Sequence, residues 1–311
     1  MSSLDKYKLN PSKFGEIDII ANGSSSSVAL VYENDQKDIQ YALKKILSNG
    51  DDKVLYKDFM KEVSIMSNLN HRNLIKLVGY SLPSENYDSF HIYTNYISNR
   101  TLEKVLKDDE RLLENDKTLN PTRLSIIVYG IASAMNYLHK HKILHNDLKP
   151  ENIILDDQFN PIIIDFGFSK YFNDNESSNS EILGSPYFMA PELFLDEEEE
   201  EEEKNISKID VYAFGVTLLS LFTTKYQFQG VQPRTISQLI NRVINGKRFV
   251  IPPKVPQFYV SLIQRCWSSN PKERPSFEDI MKELKSNDNF IFDGANIEKV
   301  HEYIQNNQNF K

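Results

Sequence analysis

Apolar residues recur at every second position in the first third of the chain, as Ile17 and Ile19 and then as Val28, Leu30 and Tyr32. A period of two belongs to a strand, whose successive side chains point to opposite faces. The stretch from Phe14 to about Thr94 therefore reads as a small sheet, with one helical segment, Tyr56 to Leu69, set into it. From Thr101 onward the period lengthens to that of a helix, most clearly in Leu124, Ile127, Val128, Ile131, Met135 and Leu138, which share one face. Asn120 and Pro121 supply an N-cap and a first helical residue for it. The apolar run Val211 to Phe222 carries Thr217 and Ser220 and is shorter than the ~18 to 20 residues needed to span a bilayer, so it predicts a buried helix. Ser276 with Asp279 has the spacing of a capping box opening a last helix.

A chain of 311 residues suits one large domain or two packed lobes, and the change of period favours two. With 40% apolar and 26% charged residues it can bury a sizeable core, which excludes disorder of the whole chain. The net charge of -8 is local: Asp196 to Glu203 are all acidic, and the rest of the chain holds 36 acidic against 36 basic residues. No basic stripe points to nucleic acid, and no polybasic cluster beside an apolar segment points to membrane insertion. The acidic run reads as a disordered surface insertion, with docking of a basic partner as the alternative. Lys107 to Lys117, charged and poor in apolar residues, predicts a solvated helix end or loop. The N-terminal residues 1–11 lack the basic and then apolar order of a secretory signal. Cys266 is the only cysteine, which rules out an internal disulfide and points to a reducing, cytoplasmic compartment. No feature specifies an oligomeric state.

The most specific stretch is His145-Asn146-Asp147-Leu148-Lys149-Pro150-Glu151-Asn152, followed after an apolar strand by Ile164-Asp165-Phe166-Gly167. Phosphoryl transfer needs metal ions to neutralise phosphate charge, a carboxylate to orient the attacking hydroxyl and a nearby cation, and these residues supply all three. With Ala190-Pro191-Glu192 further on, they give the chain a resemblance to the eukaryotic protein kinase family, extending from Phe14 to about Leu284. The resemblance implies an α+β bilobal fold, with a small antiparallel-sheet lobe carrying one helix and a larger, mainly helical lobe. Its boundaries would be an N-terminal extension 1–13, a kinase domain 14–286 and a C-terminal tail 287–311. Within the domain, the small lobe would span 14–94, the hinge 95–97 and the large lobe 98–286, with the acidic insertion at 196–203.

The roles it implies are specific. Asp147 would accept or orient the hydroxyl proton, Lys149 would contact the γ-phosphate, and Asn152 with Asp165 would hold magnesium, with manganese as an alternative. Tyr41-Ala42-Leu43-Lys44 matches the strand whose lysine neutralises the α- and β-phosphates of ATP, and Glu62 would be its ion-pair partner. The phosphate-covering loop Ala21-Asn22-Gly23-Ser24-Ser25-Ser26-Ser27-Val28 keeps only the middle glycine of G-x-G-x-x-G-x-V. Gly23 still allows close approach of the backbone, and the serine hydroxyls and amides can donate to phosphate. Ala42, Thr94, Tyr96 and Ile154 complete the nucleotide positions, with Thr94 at the back of the adenine pocket and Asn95 to Ile97 as the hinge.

Asn146 stands where the family pattern has arginine. That arginine commonly pairs with a phosphate on the activation segment, here Asp165 to Glu192, so this chain should not depend on phosphorylation there, although Ser177, Ser178, Ser180 and Ser185 could accept it. Asp-Leu-Lys-Pro-Glu-Asn and Gly184-Ser185-Pro186-Tyr187-Phe188-Met189 resemble serine/threonine kinases, while His71-Arg72-Asn73-Leu74 and Cys266-Trp267 resemble the tyrosine kinase-like group. Asp210 would brace the catalytic loop, Arg274 would pair with Glu192, and Leu77, Met66, His145 and Phe166 would pack as an internal spine, with His145 no metal ligand. The reading is of an ATP-dependent serine/threonine phosphotransferase acting on proteins in signalling, with the chemistry in the cleft between the lobes. The alternatives are a pseudokinase scaffold or allosteric module, motivated by the poor glycine loop and Asn146, and a small-molecule phosphotransferase of related fold. The Asn-rich tail, Asp288 to Lys311, carries no readable function.

Overall fold

A computed structural model of the protein describes residues 4–23, 26–47, 52–112, 116–173, 185–195 and 206–307. The predictions made for Ser24, Ser25, Ser177, Ser178, Ser180, Gly184 and the acidic run fall outside them. The chain divides into two compact units, Met1–Asn70 with Leu74–Ser98, and His71–Asn73 with Asn99–Lys311.

The first unit is a five-stranded antiparallel sheet. Its strands are β1 (Phe14–Asn22), β2 (Ser26–Glu33), β3 (Gln36–Leu47), β4 (Leu77–Ser81) and β5 (Ser89–Asn95), in the order β1-β2-β3-β5-β4, and helix α1 (Asp52–Ser67) is inserted after β3. Ala29 and Val31 of β2 pack on Leu43 and Tyr93 as one buried cluster, which Leu9 and Phe14 join from outside. The predicted period of two holds, and the buried face of β2 is the one that carries Ala29 and Val31. Val28, Leu30 and Tyr32 are half-buried, and Ile17 and Ile19 of the edge strand β1 are about half exposed, at 48% and 51%. Small Ala29 and its neighbour Val31 face the N-terminal segment, and that packing decides which side is core. Opposite, Phe59 of α1 packs against Phe90 at 4.9 Å between ring centroids.

The second unit contains α2 (Leu102–Asp109), α3 (Pro121–Lys140), α4 (Lys208–Ser220), α5 (Ile236–Ile244), α6 (Gln257–Cys266), α7 (Phe277–Ser286) and α8 (Ile297–Asn306). Two short antiparallel ribbons join them, β6 (Ile143–Leu144) with β9 (Lys170–Tyr171) and β7 (Ile153–Leu155) with β8 (Pro161–Ile163). The Asn120 side chain accepts from the Arg123 amide at the start of α3, and Ser276 with Asp279 forms the reciprocal box at the start of α7, as their spacing predicts. Every residue of α4 from Ile209 to Ser220 is buried, so this is a core helix. No described helix is long and apolar enough to cross a membrane.

Most described residues of the segment Lys107 to Lys117 are exposed, as the reading of a solvated helix end or loop expects, and the buried exception is Asp109. It is 5% exposed, and its carboxylate accepts from the amides of Thr118 and Leu119 at 2.8 and 2.7 Å. A charge so placed is tolerable because it satisfies two backbone donors.

The tail also has structure. Phe292 donates its amide to Ser125, Asn296 caps α8, and the Tyr303 hydroxyl accepts from Asn73 Nδ2 at 2.7 Å. A Cβ at Gly130 of α3 would lie 2.7 Å from the Tyr303 oxygen and 2.6 Å from Pro161, so only glycine admits this approach. Tyr303→Phe is expected to cost about 1 kcal/mol and Tyr303→Ala about 3 kcal/mol of unfolding free energy, read from denaturant midpoints.

His71 is buried in the second unit, with Nδ1 accepting from the Asn73 amide and Nε2 3.1 Å from the Ser133 hydroxyl. An accepting Nδ1 requires the neutral ring. Burial first, and then the adjacent Arg72 charge, bring its pKa down to about 4 from 6.5. The unfolded ring takes a proton at a higher pH than the folded one, so the contribution is complete above the unfolded value and is lost as pH falls. Unfolding titrations should show stability declining between pH ~6.5 and ~4, and His71→Gln should flatten that slope.

Candidate active site

In the first unit, strand register aligns the predicted nucleotide positions. Ala21 pairs with Val28, Val28 with Lys44, and Ala42 with both Leu30 and Thr94, so these residues share one face of the sheet. Helix α1 lies on that face and brings Glu62 to Lys44, whose Nζ is 2.8 Å from Oε1. Glu62 is 5% exposed, which fixes the acid in place and gives the ammonium a defined position. Gly23 donates its amide to the Ser26 carbonyl at 2.8 Å, closing the β1–β2 hairpin, and Ser27 lies opposite Asn22. Thr94 and Tyr96 are half-buried, with Asn95 exposed between them.

In the second unit, the turn after β6 carries the catalytic-type residues. Asp147 Oδ2 accepts from Lys149 Nζ at 2.6 Å and from Asn152 Nδ2 at 2.8 Å, and the Asp147 carbonyl accepts from the same amide nitrogen. With that nitrogen committed, the Asn152 oxygen is the acceptor left over. The Ile164 amide donates to the Asn152 carbonyl at 2.9 Å, so Asp165 follows directly beside Asn152. Asp165 has φ 65°, a left-handed backbone that Asp tolerates better than most residues, and its Oδ1 accepts from the Gly167 amide at 3.3 Å. Ile154 sits half-buried on β7, opposite Ile162.

Asp210 holds the loop from beneath. Fully buried in α4, it accepts the His145 amide on Oδ2, the Asn146 amide on Oδ1, and a bond from His139 Nε2, each at 2.9 Å. Burial alone would raise its pKa, but the His139 bond, the two neighbouring imidazoles and the backbone donor prevail and hold it below the ordinary carboxylate value. His145 is buried edge-on to Phe166 at 5.3 Å, a packing role. Met66 and Leu77 are buried in the first unit. Glu192 and Arg274 form a bidentate pair at 2.6 and 2.8 Å with the Arg274 side chain fully buried.

Three contacts went unread in the sequence. Lys149 Nζ also donates to Ser185 Oγ at 2.7 Å, so the hydroxyl that looked like a phosphate acceptor is engaged by the lysine. Asn146 has φ 64° and donates Nδ2 to the Phe168 carbonyl at 2.9 Å, tying the loop to the residue after Gly167. His139 orders Asp210. The left-handed preference of Asn was the available signal for the second; the other two join positions 36 and 71 residues apart.

The family profile described as "Protein kinase domain" matches residues 14–284. The chain belongs to the protein kinase family. Among individual kinases, it is 32% identical over 231 residues to the serine/threonine-protein kinase CTR1 of Arabidopsis thaliana, covering 73% of this chain and 26% of the relative. It is 29% identical over 285 residues to "Probable serine/threonine-protein kinase drkC" of Dictyostelium discoideum, covering 90% of this chain and 36% of the relative. "Probable LIM domain-containing serine/threonine-protein kinase DDB_G0287001" of the same organism is 32% identical over 270 residues, covering 86% and 38%. The chain thus spans well under half the length of these kinases.

Proposed function

We propose that the protein is an ATP-dependent protein serine/threonine kinase of the tyrosine kinase-like group, active in signalling. The observation that carries this reading is the Asp147 carboxylate: Oδ2 is held by both Lys149 and Asn152, and among the described residues Oδ1 accepts no bond. A carboxylate oriented by one oxygen and open on the other suits acceptance of a proton from an attacking hydroxyl. Lys149, already bonded to Asp147, would place its charge toward the transferring phosphoryl group, and Ser185 on the same ammonium ties the peptide-positioning segment to that charge.

The donor set fits magnesium. Asp165 and the remaining Asn152 oxygen are two hard ligands, and no group of three His, Cys, Asp or Glu able to hold a metal occurs among the described residues. Magnesium is commonly held by one or two protein oxygens, with phosphate and water completing its shell, and manganese accepts the same ligands. When bound it neutralises the phosphates. Lys44, held by Glu62, would take the α- and β-phosphates, while Val28, Ala42, Thr94, Tyr96 and Ile154 would contact the base and Gly23 with its serines would cover the phosphates. The kinase domain would run from 14 to 286 with its hinge at 95–97, and the lone Cys266 accords with a reducing, cytoplasmic compartment.

Asn146 supports independence from activation-segment phosphorylation, since its own amide makes the tie to Phe168. Phosphatase treatment should leave activity within about twofold, and loss restored by rephosphorylation would refute this. The substrate class is tested by phosphoamino-acid analysis of a protein offering all three hydroxyls. Phosphoserine and phosphothreonine are expected, and phosphotyrosine alone would contradict the reading.

A further inference from the structure

On the second unit, α5, the segment 246–253 and α6 line an open depression of about 910 Å³. Its charge is one-sided. Arg242, Lys247 and Arg248 line it, and among the described residues no acidic one does. The Arg248 guanidinium spends its donors on neutral acceptors, the carbonyls of Trp267, Val243 and Lys247 and the Ser269 hydroxyl, at 2.8 to 2.9 Å. Burial lowers its pKa, a sign of a desolvated charge. Arg242 donates to the Val231 carbonyl and lies over the Phe228 ring, and exposed Lys247 makes no ion pair among the described residues. Three cations with no described carboxylate lining the depression beside them leave its surface positive, the Glu192 charge reaching Arg248 only from outside that lining.

The depression is also continuous with the segment that the kinase reading assigns to peptide positioning. Phe249 stacks on Tyr187 at 5.9 Å and 19°, and Tyr187 is 41% exposed two residues after Ser185. Exposed Val250 and Pro253 form an apolar rim beside the cations. From this complementarity and continuity we propose that the depression docks an acidic segment of the protein substrate, with an aliphatic side chain against Val250 and Pro253. The proposal rests on the kinase reading for the word substrate. Its charge would distinguish substrates by a tract remote from the phosphorylated hydroxyl, acting on affinity and leaving the chemical step alone.

Fluorescence anisotropy tests this on the full chain with a labelled peptide of Asp and Glu around one Leu, against a Lys-substituted control of equal length. Binding of the acidic peptide alone, weakening as salt is raised, is expected. Arg242→Glu with Lys247→Glu should weaken it about tenfold, and Lys247→Glu alone serves should the pair fail to fold. With a protein substrate carrying the tract, KM should rise about tenfold with kcat unchanged, while a short substrate without it is phosphorylated as before. Equal binding by intact and reversed chains overturns the proposal. So does peptide binding that appears only after deletion of residues 196–203, which would assign the depression to the chain's own acidic run. Charge-sensitive binding with no transfer to any substrate upholds the docking surface and counts against the kinase reading instead.

Discussion

Asp147→Asn should slow phosphoryl transfer by about 10³-fold, within the range that a positioned general base contributes. The substitution preserves shape. An asparagine whose oxygen keeps the bonds to Lys149 and Asn152 must turn its NH2 group outward, so a donor occupies the position from which Asp147 Oδ1 would accept a proton. Nothing else in the loop needs to move, because Asp210 holds the His145 and Asn146 amides independently of that side chain. The loss should therefore appear in kcat, with KM for ATP and the unfolding temperature little changed. Steady-state rates within tenfold of the intact chain would remove Asp147 from proton transfer.

Arg274→Met should destabilise the second unit by about 3–5 kcal/mol, the usual consequence of removing one partner from a buried ion pair. The Arg274 side chain is fully buried, its Nη1 and Nη2 donate to Glu192, and its Nε and Nη1 also donate to the Ser268 and Lys208 carbonyls. Methionine fills part of the volume but leaves Glu192 and both carbonyls without their donors. For a unit of this size the unfolding temperature should fall by roughly 6–20 °C. The contrast is Arg265→Met, whose pair with Glu283 is 40% and 33% exposed and should cost under about 1 kcal/mol. Equal calorimetric shifts for the two variants would show that burial does not set the energy of the Glu192 pair.

Features carried by contiguous residues were legible in the sequence. The caps at Asn120 and Ser276, the buried helix over Val211 to Phe222 and the ordered kinase motifs each depend on spacing within one short segment. What escaped depends on distant partners. The period of β2 was readable but its buried face was not, because Leu9, Phe14 and Tyr93 decide it and alanine at position 29 does not announce a core. Asp109 looked like surface charge until Thr118 and Leu119 supplied its donors. The Asn-rich composition of the tail hid Phe290, Val300 and Tyr303, which fasten it to the second unit. At the site, Asp147, Lys149 and Asn152 lie within one short motif and are hydrogen-bonded to one another, whereas the Lys149 bond to Ser185 crosses a sequence gap that no local pattern bridges.

Catalysis by this chain, as opposed to retention of the fold alone, turns on Asp147. The most direct measurement is the rate at which label moves from γ-labelled ATP with magnesium to a protein substrate, for the intact chain and for Asp147→Asn side by side. Transfer onto serine or threonine by the intact chain and its near-complete loss in the variant are expected. Equal incorporation by the two, or none by a folded intact chain with magnesium, manganese and several substrates, would contradict catalysis through Asp147.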